Sequence, residues 1–250
     1  MPWTLASDID GTLTGDPHAL AELAQALTDK REAGELYLIL CTGRRLQQVI
    51  DGFATEGLPF PDAVIGQVGT EIYLPPFTPD SPRMAAWDER LHRVYRRETA
   101  LSFVEGIDGI EIQPEVFNTP LKASFYLDNC PDPEAAVATV RERAQAAGEG
   151  YMVVWSSGRD LDILPAVSGK GKAVHFLVEH EGLDQERIAV AGDSGNDIAM
   201  FEECRRGVVV GNARSELKTW ARDHAAKEIH QADASYAAGV AEGLRALDIL

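Results

Sequence analysis

The chain is poor in cysteine, in basic residues and in long apolar runs. Its three cysteines, Cys41, Cys130 and Cys204, are odd in number and far apart. They offer no zinc-type spacing and no disulfide framework, and they suit a reducing compartment. The six histidines are scattered, and His175 and His180 lack the H-E-x-x-H setting of a zinc protease. Lys and Arg number 23 against 40 Asp and Glu, a formal net charge of −17. Such a balance argues against nucleic acid and anionic membrane as partners. An anionic small molecule stays compatible, because a local cation or bound metal reverses the field inside a pocket. No apolar run approaches membrane-spanning length. An apolar strand begins almost at the first residue, which leaves no room for a signal peptide, so a cytoplasmic protein is expected. There is no internal repeat and no low-complexity tract.

What is present starts with Trp3 to Thr12. A mostly apolar run ends in Asp8 and Asp10, with Gly11 and Thr12 directly after. Alternation along a strand would put both carboxylates on one face if the strand ran straight, and Gly11 marks where the chain turns. Asp16 and Pro17 read as the cap and first residue of a helix with Leu20, Leu23, Ala24 and Leu27 on one face. Leu36 to Leu40 is a continuous apolar strand of the kind covered on both faces in a parallel sheet. Thr42-Gly43-Arg44 closes it, and a helix follows near Leu46 to Phe53. Ala63 to Ile65 reads as a third strand, with a small hairpin expected over Val68 to Leu74.

The texture changes at Pro75, Pro76, Pro79 and Pro82, which read as a linker. A helix with Trp87, Leu91, Val94 and Tyr95 follows, then a half-exposed antiparallel strand over Lys122 to Asp128, a helix from Pro133, and strands at Tyr151 to Trp155 and Leu161 to Leu164. From Gly169 the strand–helix alternation returns, with a strand Ile188 to Ala191, a helix near Asn196, a strand Val208 to Val210, and helices near 214–222 and 236–247. The expected fold class is α/β: a doubly wound parallel-sheet, Rossmann-like core over 1–77 and 165–250, with an inserted α+β cap domain over 78–164.

In open parallel sheets ligands bind beyond the carboxyl ends of the strands. Three strands end in chemically suited residues: Asp8 and Asp10, Thr42-Gly43-Arg44, and Asp193-Ser194-Gly195-Asn196-Asp197. Gly169-Lys170-Gly171-Lys172 opens a helix. If the strands are neighbours, the carboxylates make a hard-cation site suited to magnesium, and a lysine, a hydroxyl and backbone N–H groups make an anion cradle beside it. A turn with a helix cap accounts for one of the polar residues in GDSGND, not for all three.

The four ordered pieces DIDGT, TGR, KGK and GDSGND together resemble the haloacid dehalogenase superfamily of phosphatases, and the insert falls where that superfamily carries its larger cap. The segments VGTEIYLP, KASFYLD, SSGRDLDILP, SGKGKA, AGDSGNDIAMF and GVVVGNARSEL are similar to the sucrose-phosphate phosphatase family and its mannosylfructose-phosphate phosphatase relatives. Gly11-Thr12 departs from the asparagine-threonine common in plant and cyanobacterial sucrose phosphatases, which bears on the exact substrate and leaves the chemistry intact.

The resemblance implies that Asp8 attacks phosphorus to form an aspartyl-phosphate, and that Asp10 protonates the leaving sugar oxygen and then takes a proton from water. It implies Mg2+ held by Asp8, the backbone carbonyl of Asp10 and Asp193, with Asp197 acting through water or behind the ligands. Thr42, Gly43 and Arg44 would hold phosphoryl oxygens, and Lys170, rather than Lys172, would neutralise charge. Asn196 would position the phosphate or Lys170. Glu71, Lys122, Arg159 and Asp160 are candidates for sugar hydroxyls, and cap opening, hinged near residues 75–82 and Pro165, would admit substrate. The expected reaction is Mg2+-dependent hydrolysis of sucrose 6-phosphate to sucrose and phosphate. A mannosylfructose-phosphate or other sugar phosphatase, a phosphomutase and a non-catalytic glycosyltransferase-binding domain are the alternatives. A monomer is expected, with a glycosyltransferase as a transient partner.

Overall fold

The computed structural model describes residues 1–156 and 158–250; Ser157, within the SSGRDLDILP segment, lies outside the described residues. The chain opens with β1 (Trp3–Ser7), α1 (Pro17–Glu32), β2 (Leu36–Cys41), α2 (Leu46–Thr55), β3 (Ala63–Gly66) and β4 (Glu71–Tyr73). There follow α3 (Ala85–His92), α4 (Arg97–Ser102), β5 (Glu111–Ile112), β6 (Ala123–Tyr126), α5 (Pro133–Ala146), β7 (Tyr151–Ser156) and β8 (Asp160–Pro165). The last stretch holds α6 (Lys170–His180), β9 (Ile188–Gly192), α7 (Ile198–Glu203), β10 (Arg206–Val209), α8 (Ser215–Asp223), β11 (Glu228–Gln231) and α9 (Tyr236–Ala246). Two compact units result, one of Met1–Met84 with Gly169–Leu250 and the other of Ala85–Ser168. These boundaries lie later than the 77/78 and 164/165 junctions expected from proline content, because the chain stays tied to the first unit past the prolines: Met84 N–H donates to the Ile72 carbonyl at 2.8 Å.

The first unit is built on a seven-stranded sheet in the order β11-β10-β9-β1-β2-β3-β4. Its strands pair in parallel, except β4, which runs antiparallel to β3. Every residue of β9 and β3 is buried, as are four of the five in β1, as expected of strands covered on both faces. Leu5, Leu38 and Val190 are fully inaccessible, and truncating either leucine to alanine should cost about 2–5 kcal/mol. The chain leaves β1 towards β2 on one side, and β9 pairs on the other. That reversal opens a crevice at the carboxyl ends of β1 and β9, where ligands bind in such sheets. The cap of α1 is as expected: Asp16 Oδ1 accepts from the His18 and Ala19 N–H groups, with Pro17 behind it.

The structure departs from the local expectations at four places. The hairpin is formed by β3 and β4, joined by a 3₁₀ turn over Gln67–Gly69, rather than lying wholly within Val68 to Leu74. The edge strand β11 was not expected: Glu228-Ile229-His230-Gln231 lacks the apolar run of its neighbours, and pairing with β10 makes it a strand. In the second unit, whose antiparallel sheet has the order β5-β6-β8-β7, β6 is buried on both faces at Ala123, Ser124 and Phe125. Ser124 is tolerated there because its hydroxyl donates to Asp162 Oδ1 at 2.5 Å. Trp87 and Leu91 are buried as the helical pattern requires, whereas Val94 and Tyr95 lie beyond the end of α3: Val94 is 39% exposed, and Tyr95 is buried with its hydroxyl donating to the Ile163 carbonyl at 2.9 Å. Among the described residues, no helix is long and apolar enough to cross a membrane.

Candidate active site

At the end of β1 the Asp8 carboxylate is buried, and its Oδ1 accepts from Lys170 Nζ at 2.5 Å. The same ammonium donates to Asp197 Oδ1 at 2.7 Å. Lys170 is the first residue of α6, and its side chain is inaccessible to solvent. Lys172, two residues on, is exposed. Carboxylate oxygens of Asp8, Asp193 and Asp197 all lie within 4.8 Å of one another.

Glycines explain how segments so distant in sequence meet. A Cβ at Gly171 would run into the backbone carbonyl of Ala199, so only glycine lets the start of α6 close on α7 and bring Lys170 to Asp197. A Cβ at Gly192 would stand 2.6 Å from the Asp197 Cβ, and one at Gly11 2.8 Å from Asp193 Oδ2. Gly11 also has φ +82°, a conformation glycine adopts without strain. Asp197 Oδ2 accepts from the backbone N–H groups of Asp193 and Ser194 at 3.0 and 3.1 Å, which shapes the loop after β9.

Three carboxylates beside one ammonium leave an excess of negative charge. Burial is the main reason the Asp8 pKa is pushed up from 3.8 to about 7; Lys170 opposes the rise, and Asp197 and Asp193 add to it. Asp193 is also raised, by burial and then by Asp197. Burial alone would lower the Lys170 pKa, but Asp197 and Asp8 outweigh it and hold the ammonium above its ordinary value. Crowding of three carboxylates in a buried setting, which raises the pKa of Asp8 and of Asp193, is what a divalent cation relieves, and an all-oxygen donor set suits a hard one. Both Asp197 oxygens are already engaged, so Asp8 and Asp193 fit such an ion directly and Asp197 fits behind them. Cys41, next to Thr42, is fully buried, and burial raises its thiol pKa, which keeps it un-ionised.

Thr42 is buried at the end of β2, and its Oγ1 accepts from the Arg44 N–H at 3.0 Å. Gly43 is exposed, with only Val68 near the space a side chain would take. The loop is latched from behind, as the Val68 and Gln67 N–H groups donate to the Thr42 and Arg44 carbonyls. Both latching residues have positive φ, 49° at Gln67 and 60° at Val68, a strained setting for a β-branched side chain.

The other candidates have partners of their own. The Asp10 carboxylate is not among the Asp8 cluster; it takes the Arg44 guanidinium, with Nη2 to Oδ1 at 2.6 Å. Arg44 also grips Glu56, so its fork is turned to two carboxylates. Asn196 is exposed and its Oδ1 accepts from the Ser194 hydroxyl, while Lys170 is bonded to Asp8 and Asp197 instead. Glu71 is buried in the first unit, where the Tyr73 hydroxyl donates to it at 2.8 Å. In the second unit, Lys122 lies 3.4 Å from Asp162, Asp160 accepts from Gln113 Nε2, and Arg159 pairs with Asp128 over the Tyr126 ring.

Sequence reasoning missed Asn212 and Glu216. Asn212 Nδ2 donates to the Gly11 carbonyl at 2.7 Å while its Oδ1 accepts from the Tyr236 N–H at 2.8 Å. Glu216 Oε1 accepts from the Gly195 N–H. Both lie in GVVVGNARSEL, and their place in that segment was the available signal.

Comparison with known proteins bears on this arrangement. The family model described as sucrose-6F-phosphate phosphohydrolase matches residues 1–248. The mannosylfructose-phosphate phosphatase of Agrobacterium fabrum is 33% identical over 245 residues, which cover 96% of this chain and 95% of that one. Sucrose-phosphatase 1 of Nicotiana tabacum is 31% identical over 226 residues, covering 86% of this chain but 52% of the tobacco protein, so the chain spans about half that relative's length. The sucrose-phosphatase of Synechocystis, solved in complex with sucrose and phosphate, superposes with a TM-score of 0.85 at 32% identity and 99% coverage of both chains. A haloacid dehalogenase-like hydrolase of Bacillus subtilis shares the fold, with a TM-score of 0.74 at 21% identity. With residues 1–248 matched and the aspartates, the lysine and the threonine at the strand ends of a haloacid dehalogenase-like fold, the chain belongs to the sucrose-6F-phosphate phosphohydrolase family.

Proposed function

We propose that the chain hydrolyses a sugar phosphate, sucrose 6-phosphate in the first instance, in a Mg2+-dependent reaction through an aspartyl-phosphate on Asp8. The observation that carries this reading is the buried Asp8 carboxylate at a strand end, 2.5 Å from Lys170 and grouped with Asp193 and Asp197. An Asp8 oxygen attacks phosphorus, the bond from phosphorus to the sugar oxygen breaks, and Asp10 gives its proton to that oxygen as the alcohol departs. Water then attacks the phosphorus, Asp10 takes the water proton, and the bond to Asp8 breaks to release phosphate and restore the carboxylate. Lys170 offsets charge on the phosphoryl oxygens, and Thr42 with the Gly43 backbone orients them. Asp8, the Asp10 carbonyl and Asp193 would hold Mg2+, which when bound supplies Lewis-acid polarisation of the phosphoryl group and charge neutralisation.

Support for the sugar comes from the family. Mannosylfructose phosphate is the second substrate reading, favoured by the near full-length match to the Agrobacterium enzyme. The test is phosphate release from a panel of mono- and disaccharide phosphates with Mg2+, on the wild type and Asp8→Asn. Turnover of a disaccharide phosphate that Asp8→Asn abolishes is the expected result. Near-normal turnover by Asp8→Asn sinks the mechanism, and a clear preference for monosaccharide phosphates sinks the substrate.

A further inference from the structure

The residue after Thr42-Gly43 would be expected to face the phosphate, and the geometry turns it elsewhere. Arg44 Nε–H is shared between the two Asp10 oxygens at 3.0 and 3.2 Å, and one Nη2–H goes to Asp10 Oδ1 at 2.6 Å. The other Nη2–H and one Nη1–H go to Glu56, at 2.9 and 2.5 Å. Four of the five guanidinium N–H donors are therefore spent on two carboxylates, and both edges that could grip a phosphate in a bidentate way are taken. Its charge is engaged as well, since the guanidinium stands directly against the Glu56 and Asp10 carboxyl groups. The side chain is only 15% exposed, so it is fixed in this setting, whereas Asp10 is 59% exposed and lacks packing of its own to orient it.

The surrounding sequence is adapted to this contact. Glu56 is the cap residue at the end of α2, where its N–H donates to the Gly52 carbonyl. A Cβ at Gly52 would stand 2.6 Å from Leu58 Cδ1, 3.2 Å from Glu56 Oε1 and 3.3 Å from Arg44 Nη1. A glycine in the last turns of a helix carries a cost in helix stability. Here it leaves room for the Arg44–Glu56 pair to form against the helix.

We propose that Arg44, anchored by Glu56 and given space by Gly52, is a positioning residue that aims the Asp10 carboxyl, and that it is not a phosphate ligand. The proposal rests on the reading of Asp10 as the proton-transfer group. Arg44 acts through Asp10, so its loss misdirects proton transfer and leaves phosphate binding in place.

The test uses substrates that differ in their need for an acid. Departure of a sugar alkoxide requires a proton, whereas p-nitrophenolate leaves without one; hydrolysis of the aspartyl-phosphate needs the base with either. Arg44→Ala and Glu56→Gln are compared with wild type and Asp10→Asn, with folding checked by circular dichroism. The expected result for Arg44→Ala is a kcat on the sugar phosphate lower by about 100-fold, the scale of a misaligned catalytic group. KM and the inhibition constant of inorganic phosphate stay within about threefold. A rapid p-nitrophenolate burst is retained and followed by slow turnover. Glu56→Gln, the milder change, shows the same pattern at about tenfold, since one anchor of the guanidinium is weakened and the shape is kept. A tenfold or larger rise in KM and in the phosphate inhibition constant, with the burst lost, would make Arg44 a phosphate ligand and overturn the proposal. Unchanged kcat in both variants while Asp10→Asn is inactive overturns the proposal alone. Full sugar-phosphate turnover by Asp10→Asn overturns the reading of Asp10 and the proposal with it.

Discussion

The Lys170 ammonium and the Asp197 carboxylate lie 2.7 Å apart, and neither side chain exposes any surface to solvent. A pair this deep is costly to desolvate, and its retention is explained by what it organises. Lys170 reaches Asp8 from this anchor, and the second Asp197 oxygen holds the backbone of Asp193 and Ser194. One carboxylate thus fixes the counter-charge and shapes the loop that carries another acid.

Removing that carboxylate should show in stability as well as activity. Asp197→Ala leaves two backbone N–H groups and part of the Lys170 charge without a partner, and is expected to lower unfolding free energy by about 3–5 kcal/mol. Asp197→Asn keeps an oxygen acceptor for the loop and should cost less. Urea unfolding followed by circular dichroism measures both, and equal losses in the two variants would contradict this account.

Gly171→Ala tests the helix contact. The added methyl meets the Ala199 carbonyl, which belongs to backbone and yields little. The start of α6 must move off α7, carrying Lys170 from Asp197. We expect about 1–3 kcal/mol of destabilisation from overpacking, together with a fall in kcat of about 100-fold from displacement of the lysine. Wild-type turnover in this variant would show that the close approach is not needed to place Lys170.

Metal dependence should be visible without any assay of turnover. Because Asp8 and Asp193 are raised by burial and by their neighbours, added Mg2+ should raise the melting temperature of chelator-treated protein. At 100 times its dissociation constant, the gain is about 2.7 kcal/mol. Asp193→Asn removes one proposed ligand and part of the repulsion, so its melting temperature without metal should hold or rise while the response to Mg2+ shrinks. A response to Mg2+ equal to that of wild type would place the ion elsewhere.

Glu242 carries a pH signature away from the site. It accepts from the Ala234 N–H at 2.9 Å, from His230 and from the Asp233 N–H, and these bonds hold its pKa below the ordinary value. A lowered folded-state pKa means stability present above the unfolded pKa and lost as pH falls through the folded one. The stability difference between wild type and Glu242→Gln should therefore be constant at neutral pH and shrink below about pH 4.3, the ordinary glutamate value. Denaturation at a series of pH values reads it, and a difference that grows with acid would reverse the assignment.

Much of the fold was legible because parallel strands buried on both faces leave unbroken apolar runs. β1, β2, β3 and β9 show them, and each except β3 ends in polar residues of the motifs. Asp16-Pro17 starts α1 for reasons local to the backbone. β11 was not legible, since an edge strand with one partner has no need of such a run. The burial of Ser124 was not legible either, because a serine is admitted to a core by its partner, here Asp162, and that partner is 38 residues away.

The α/β class, the order of the four motifs and the residue types available to the site (carboxylates, a lysine and a hydroxyl, with glycines between them) are written in the order of residues. Those follow from periodicity and chemistry, which are local. The pairing among them comes from packing. Asp197 is bound to Lys170 because α6 and α7 close at a glycine. Arg44 faces Asp10 and Glu56 because the end of α2 offers it a second carboxylate. Charged side chains at strand ends can reach several partners, and which one they take depends on which helices pack beside them.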